Sequence, residues 1–270
     1  MESVQEILEW YAEAGVDVLL QDTPINRFEE IPPPPKQKST ENSLAAKRLN
    51  DRAPVTPAKP LQTDAAVPDA NAISDAQGIA ASCSSLEALR EALLGFEGCN
   101  LKRTAKNMVF ADGNPEAEIM FVGEAPGRDE DIQGLPFVGR AGQLLDRMLA
   151  AIKLDRKTAY ISNVIPWRPP GNRTPTPQET EICRPFIEKH IELVSPKLVV
   201  MLGGSSAKTL LRTNDGIMRL RGSWKNLQIN GKDYRAMPTL HPAYLLRQPA
   251  QKRLAWQDLL QVVEALQEIG

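Results

Sequence analysis

The residues of this chain best equipped for chemistry fall in three short stretches. The first reads Gly123-Glu124-Ala125-Pro126-Gly127, then Asp129-Glu130-Asp131, then Gly134-Leu135-Pro136-Phe137-Val138-Gly139-Arg140. The second is Asn163, followed by Arg168-Pro169-Pro170-Gly171-Asn172-Arg173, and the third is His241-Pro242-Ala243-Tyr244-Leu245-Leu246-Arg247. Together they offer a carboxylate, an aromatic ring, a side-chain amide and an imidazole. An amide presents a donor beside an acceptor, and a neutral imidazole donates one N–H. An N–H aimed at developing negative charge gains strength where water is excluded. Glycine and proline in each stretch fix the loop backbones that would present these groups.

Each stretch follows a short strand-like run. Glu118 to Val122, Ala159 to Ser162, Leu198 to Leu202 and Arg235 to Thr239 are the strand candidates, and the continuous apolar run at 198–202 best suits a parallel strand buried on both faces. The ligand crevice of an open parallel sheet lies beyond the carboxyl ends of its strands, which is where the three stretches fall. Helices fill the intervals. One starts near Gly142. Another starts at Thr176, with Pro177 at its first position and Glu179 completing a capping box. The last places Trp256, Leu259, Leu260 and Val263 on one face, the spacing of a core-facing stripe. His190 lies inside the helix from Thr176 and reads as a surface or packing residue, which leaves His241 as the imidazole with a chemical role. The expected architecture is a three-layer α/β/α sandwich around a central four-stranded parallel sheet.

Composition divides the chain. Residues 1–83 carry 7 Lys+Arg against 13 Asp+Glu and residues 84–270 carry 25 against 21, giving −6 and +4. A modestly basic domain binds phosphates when its arginines share a face. Residues 1–30 form an amphipathic segment with Val4, Ile7, Leu8 and Tyr11 at helical spacing. Residues 31–83 are rich in Pro, Ala, Ser and charge and poor in large apolar side chains, the composition of a disordered linker. Residues 84–270 read as the folded domain. No run of about 18 apolar residues occurs, and the acidic start is unlike a secretory signal. Cys83, Cys99 and Cys183 are an odd number at irregular spacing, so a cytoplasmic protein with free thiols is expected.

The ordered motifs, GEAPG with a following ED, GLPFVGRAG, a strand-end Asn with RPPGNRTP behind it, and HPAYLLR, resemble those of family 4 uracil-DNA glycosylases over residues 86–265. The resemblance implies the superfamily fold and a monofunctional glycosylase. Such an enzyme hydrolyses the N-glycosidic bond of uracil in DNA and leaves an abasic site for base excision repair. It implies uracil-containing DNA as partner; a monomer is expected, and the helical spacing in residues 1–30 fits either a helix packing back on the domain or a segment docking a repair or replication protein. A second reading is a protein that binds uracil or single strands without turnover. Relatives that trap DNA covalently carry a basic His-containing insertion after the Asn strand, and RPPGNRTP lacks it. A third, a Rossmann-like nucleotide module, rests on Gly203-Gly204-Ser205-Ser206 and has no G-x-G-x-x-G behind it.

Within the first reading, Asn163 accepts from uracil N3–H and donates to O4, a pattern cytosine does not match. Phe137 stacks on the flipped ring, and Ala125 completes the uracil-binding set. His241 donates to O2 as negative charge grows there. Glu124 positions water or holds the motif backbone. Asp129, Glu130 and Asp131 read as a solvated acidic turn in which Glu130 can orient loop backbone near the pocket. Arg140, Arg168, Arg173 and Arg247, with Lys252 and Arg253, are the candidate phosphate contacts, and Tyr244, Leu245 or Leu246 is the wedge that fills the gap left by the base. Family 4 members hold a four-iron four-sulfur cluster on four cysteines. Here the matching positions read Phe96, Cys99, Trp167 and Cys183. Cluster chemistry needs thiolates around the irons, so no cofactor is expected, with aromatic packing in its place and the family cluster as the alternative.

Overall fold

A computed structural model describes residues 70–269. The amino-terminal segment expected over 1–30, and the expected linker as far as residue 69, lie outside the described residues. In chain order the elements are α1 (Ala70–Ser82), α2 (Leu86–Gly95), α3 (Leu101–Thr104), β1 (Ala111–Gly113), β2 (Ile119–Gly123), α4 (Arg128–Gln133), α5 (Arg140–Ala151) and β3 (Tyr160–Asn163). They continue with α6 (Pro177–Val194), β4 (Leu198–Leu202), α7 (Gly204–Leu211), α8 (Ile217–Leu220), β5 (Lys225–Ile229), β6 (Lys232–Thr239), α9 (Pro242–Arg247) and α10 (Lys252–Ile269).

The sheet runs β1-β3-β2-β4-β6-β5. Its four central strands are mutually parallel and match the four sequence candidates. Successive side chains on a strand face opposite ways, and both faces are covered. Ile119 and Phe121 join Ile161, Val200 and Met237 against Leu145 and Leu149 of α5 and Val262 and Ala265 of α10. Met120 and Val122 join Tyr160, Val199 and Met201 against Leu89 of α2 and Ile182, Phe186 and Ile191 of α6. The three-layer α/β/α sandwich follows from that alternation.

Three features differ from the sequence reading. The sheet has six strands, because antiparallel β1 and β5 extend its edges. The β5–β6 hairpin turns at Asn230-Gly231, whose φ values of 48° and 81° are those of a type I′ turn. Residues 70–82, placed within the linker, are helix α1. Its buried stripe is Ala72, Ala76 and Ala80; small side chains let it pack closely on α6, and alanine has the highest helix propensity. The core face of α10 is Ala255, Asp258, Leu259, Val262 and Ala265, so Trp256 and Leu260 point outward at 42% and 47% exposure. His190 takes the packing role of the two expected: it is buried, with its Nε2 2.9 Å from the Tyr160 hydroxyl and its ring stacked on Phe110.

Candidate active site

The carboxyl ends of β2, β3 and β6 converge on a cavity of about 220 Å³ lined by Glu124, Ala125, Phe137, Asn163 and His241. Pro169, Asn172, Arg173, Thr174 and Pro175, from the loop after β3, form its opposite wall. Parallel pairing explains the convergence. Gly123 and Asn163 are register partners at the ends of β2 and β3, and the pairing continues as Val164 N–H donates to the Gly123 carbonyl and Ile165 N–H to the Glu124 carbonyl. A Cβ at Gly123 would sit 2.3 Å from Asn163 Oδ1 and 2.6 Å from the Phe137 ring, so only glycine permits both side chains to close on this point. Asn163 Oδ1 is buried with no hydrogen-bond partner in the protein. An orphaned acceptor of this kind costs roughly 1–3 kcal/mol, a cost that a hydrogen-bond donor in the cavity would offset.

Phe137 is held in the left-handed region at φ 55°, where a bulky residue is strained. Three groups hold it there. Arg156 donates to the carbonyls of Pro136 (3.0 Å) and Phe137, and is itself paired with Asp112 and Asp146. Glu130 Oε1 accepts from the backbone N–H of Val138 (3.0 Å) and Gly139 (2.9 Å), while its Oε2 accepts from Gly127 (3.1 Å). The Phe137 ring stacks on His241, with centroids 5.6 Å apart. Glu130 thereby ties the GEAPG loop to the Phe137 loop. Asp131 is likewise buried, accepting from the N–H groups of Lys106 and Asn107. Of the three acidic residues Asp129 stands exposed, as expected, Glu130 orients loop backbone, and Asp131 is buried rather than solvated. Sequence reading missed Arg156, which lies in a turn far along the chain with no local signal of its partner loop.

His241 caps α9, its Nδ1 accepting from Ala243 N–H at 3.1 Å. The neutral ring therefore carries its proton on Nε2. Burial, with the nearby positive charge of Arg247, pushes its pKa down to about 4. Burial raises the Glu124 carboxyl above its ordinary value, a shift that the neighbouring Ser205 side chain opposes. Glu124 Oε1 is a second buried acceptor without a partner.

The outer candidates divide. Arg140 and Arg247 are exposed. Arg173 lies at the cavity wall but is paired with Glu179 through both carboxylate oxygens (2.8 and 2.6 Å). Arg168 donates to Asn172 Oδ1 at 2.7 Å and lies 3.9 Å from Asp131, so it braces its own loop. Tyr244 is half-buried. Leu245, expected to face DNA, is instead 1% exposed in a core cluster with Leu144, Leu240 and Ala255, because α9 turns that face onto α5 and α10.

The residues at the family's cluster positions are Phe96, Cys99, Trp167 and Cys183. Cys99 and Cys183 are buried thiols with their sulfurs 3.9 Å apart; Cys99 and full burial push the Cys183 thiol up. Phe96 and Trp167 are themselves buried, and Phe96 packs edge-to-face on Phe186 at 5.0 Å. Among the described residues no three His, Cys, Asp or Glu side chains group to hold a metal. Two thiols beside two large rings do not fit a cluster that requires four thiolates.

A six-stranded α/β sandwich with this edge cavity defines a class, and a family comparison agrees: the profile described as the uracil DNA glycosylase superfamily matches residues 110–260. The chain belongs to that superfamily. Among its relatives, the type-4 uracil-DNA glycosylase of Archaeoglobus fulgidus is 41% identical over 169 residues, covering 61% of this chain and 85% of the relative. That of Thermotoga maritima is 38% identical over 183 residues, 64% and 91% of the two chains. That of Saccharolobus solfataricus is 37% identical over 187 residues, 67% and 87%.

Proposed function

We propose that this protein is a monofunctional uracil-DNA glycosylase of base excision repair, which hydrolyses the N-glycosidic bond of a flipped deoxyuridine and leaves an abasic site. The observation that carries the reading is the orphaned Asn163 Oδ1 in the same cavity as the His241 imidazole. Uracil fits this pair: N3–H donates to Asn163 Oδ1, the Asn163 amide donates to O4, and His241 Nε2–H donates to O2. Phe137 stacks on the ring, and Ala125 leaves space beside it. As the glycosidic bond breaks, the sugar gains oxocarbenium character and the base gains negative charge. His241 stabilises that charge while Glu124 holds the water that attacks C1′. Arg140 and Arg247, with Tyr244 at the rim, contact the flanking DNA; Arg168 and Arg173 shape the wall between.

The protein works without an iron–sulfur cluster in this reading, because the Phe96 and Trp167 rings fill two ligand positions; iron analysis of protein purified without air tests this. Among the described residues no helix is long and apolar enough to cross a membrane, and a cytoplasmic monomer is proposed. The domain includes α1, and residues 1–30 either pack on it or dock a repair or replication protein. The deciding experiment incubates the protein with labelled DNA containing one uracil opposite G, opposite A or unpaired, followed by alkali. Strand cleavage at the uracil is the expected result. Intact DNA, or a protein–DNA adduct surviving denaturing electrophoresis, would replace this reading with binding without turnover.

A further inference from the structure

Asp258 of α10 is a fully buried carboxylate that the reaction as described so far leaves without a task. It shares the core face of α10 with Val262 and Ala265, which pack in one apolar cluster with Met237 of β6. Its Oδ2 accepts from the Thr239 hydroxyl at 2.6 Å and from Arg221 Nε at 3.0 Å, and its Oδ1 accepts from the same guanidinium. Arg221, at the end of α8, also donates to the Leu254 carbonyl at 2.7 Å, so it is tied to α10 twice. Thr239 closes β6 two residues before His241 and is itself fully buried. Its carbonyl accepts from Gly203 N–H at 2.8 Å, and a Cβ at Gly203 would lie 2.9 Å from His241 Cβ. Thr239 is thereby held from α10 through its side chain and from the β4–α7 turn through its backbone.

We infer that the Arg221–Asp258–Thr239 chain positions His241: it fixes where the last residue of β6 stands, and so sets the depth at which His241 Nε2–H meets the base. The inference rests on the glycosylase reading and deepens it. Two contacts orient the imidazole locally, the Ala243 N–H on Nδ1 and the stacked Phe137 ring. Both come from the loops and the short helix α9 at the cavity, so the backbone that carries the ring needs its own anchor in the scaffold. Thr239 supplies it. The reaction is sensitive to this placement, because a displacement of about 1 Å costs roughly 100-fold in rate. The residue types fit positioning better than stabilisation. A buried ion pair seldom adds stability over apolar side chains of the same volume, and the core around Asp258 is apolar. A carboxylate that needs both a guanidinium and a hydroxyl accepts few arrangements, since each lost bond leaves buried charge poorly paired.

The test measures single-turnover uracil release and KM for native protein, Thr239→Val, Thr239→Ser and the apolar pair Arg221→Met/Asp258→Leu, each in the native and the His241→Ala background. Thr239→Val keeps the shape of the side chain and removes the hydroxyl. It is expected to slow release on the order of 10- to 100-fold with little change in KM. Thr239→Ser keeps the hydroxyl and is expected to restore most of the rate. The apolar pair should melt no lower than native protein yet lose rate as Thr239→Val does. In the His241→Ala background none of these changes should slow release further, because a positioning residue acts only through the group it places. A loss of the same factor in both backgrounds would overturn the inference, since general damage to the fold produces that result. So would a native rate in Thr239→Val. If the apolar pair fails to fold, the Thr239 series decides alone. Nitrogen-15 NMR of the His241 ring in the free proteins separates this inference from the reading it rests on. A Nε2–H signal shifted in Thr239→Val and restored in Thr239→Ser is expected whether or not uracil is released, and an unchanged signal would end the positioning role. A native protein that releases no uracil would end the glycosylase reading instead.

Discussion

Replacing His241 separates a neutral hydrogen-bond donor from a cationic one. Its Nδ1 is occupied by the Ala243 N–H at 3.1 Å, so the neutral ring has only Nε2–H to offer the base. With a pKa near 4, about one molecule in a thousand carries imidazolium at neutral pH. Loss of one preorganised donor to a developing anion costs about 100- to 1,000-fold in rate, roughly 2.7–4 kcal/mol. His241→Ala is therefore expected to lower single-turnover uracil release by that factor with little change in KM, and His241→Gln, which keeps an N–H, to lose less. Native enzyme should show a flat rate from about pH 6 to about pH 8, because the neutral donor persists across that range. The reasoning would be refuted by a native rate that falls tenfold per pH unit above about 6.5, with that dependence absent in His241→Ala. Imidazolium would then be the reacting form.

The remaining expectations concern support and stability. Asn163→Leu removes the orphaned acceptor, so unfolding free energy should hold or rise by about 1 kcal/mol while uracil release falls at least about 1,000-fold; denaturant melts and activity assays read the two separately. Glu130→Ala frees three backbone N–H groups across two loops, and is expected to cost about 2 kcal/mol and to lower kcat as well as raise KM. Acid should destabilise the fold from both histidines. The pKa values of His190 and His241 are pushed down to about 3 and about 4, so below about pH 6.5 the unfolded chain binds protons that the folded chain does not. Stability should fall by roughly 1.4 kcal/mol per pH unit for each until the folded pKa is reached; urea titrations that stay flat between about pH 6.5 and about pH 4.5 would contradict the burial of these rings. Trp256→Ala should change stability by less than about 1 kcal/mol, whereas Leu259→Ala should cost about 2–5 kcal/mol, an order that inverts if the outward face of α10 were its core face.

The central strands were legible because strands buried on both faces read as apolar runs, and the loops behind them were legible because glycine and proline flank their polar residues. The edges were not. β1 is three residues, Ala-Asp-Gly, too short to show alternation. The Asn230-Gly231 turn did carry a hairpin signal, but the Lys225–Ile229 partner strand has only Leu227 and Ile229 buried. Helix α1 escaped notice because its apolar stripe is alanine, which composition does not separate from a linker. On α10 the bulky Trp256 and Leu260 suggest the wrong face; packing against the sheet selects Val262 and Ala265, and packing against Leu144 and Leu245 selects Ala255. In the site, residue types pointed to Glu124, Phe137, Asn163 and His241, while the groups that hold them, Arg156 among them, depend on contacts between distant segments.

The central claim is that one cavity, built by the ends of β2, β3 and β6, holds an extruded uracil. A crystal structure of the protein soaked with free uracil tests it most directly. The predicted density places the ring on Phe137, N3 within about 3 Å of Asn163 Oδ1 and O2 within about 3 Å of His241 Nε2. Uracil bound elsewhere, or in this cavity with its N3 edge turned away from Asn163, would contradict the account.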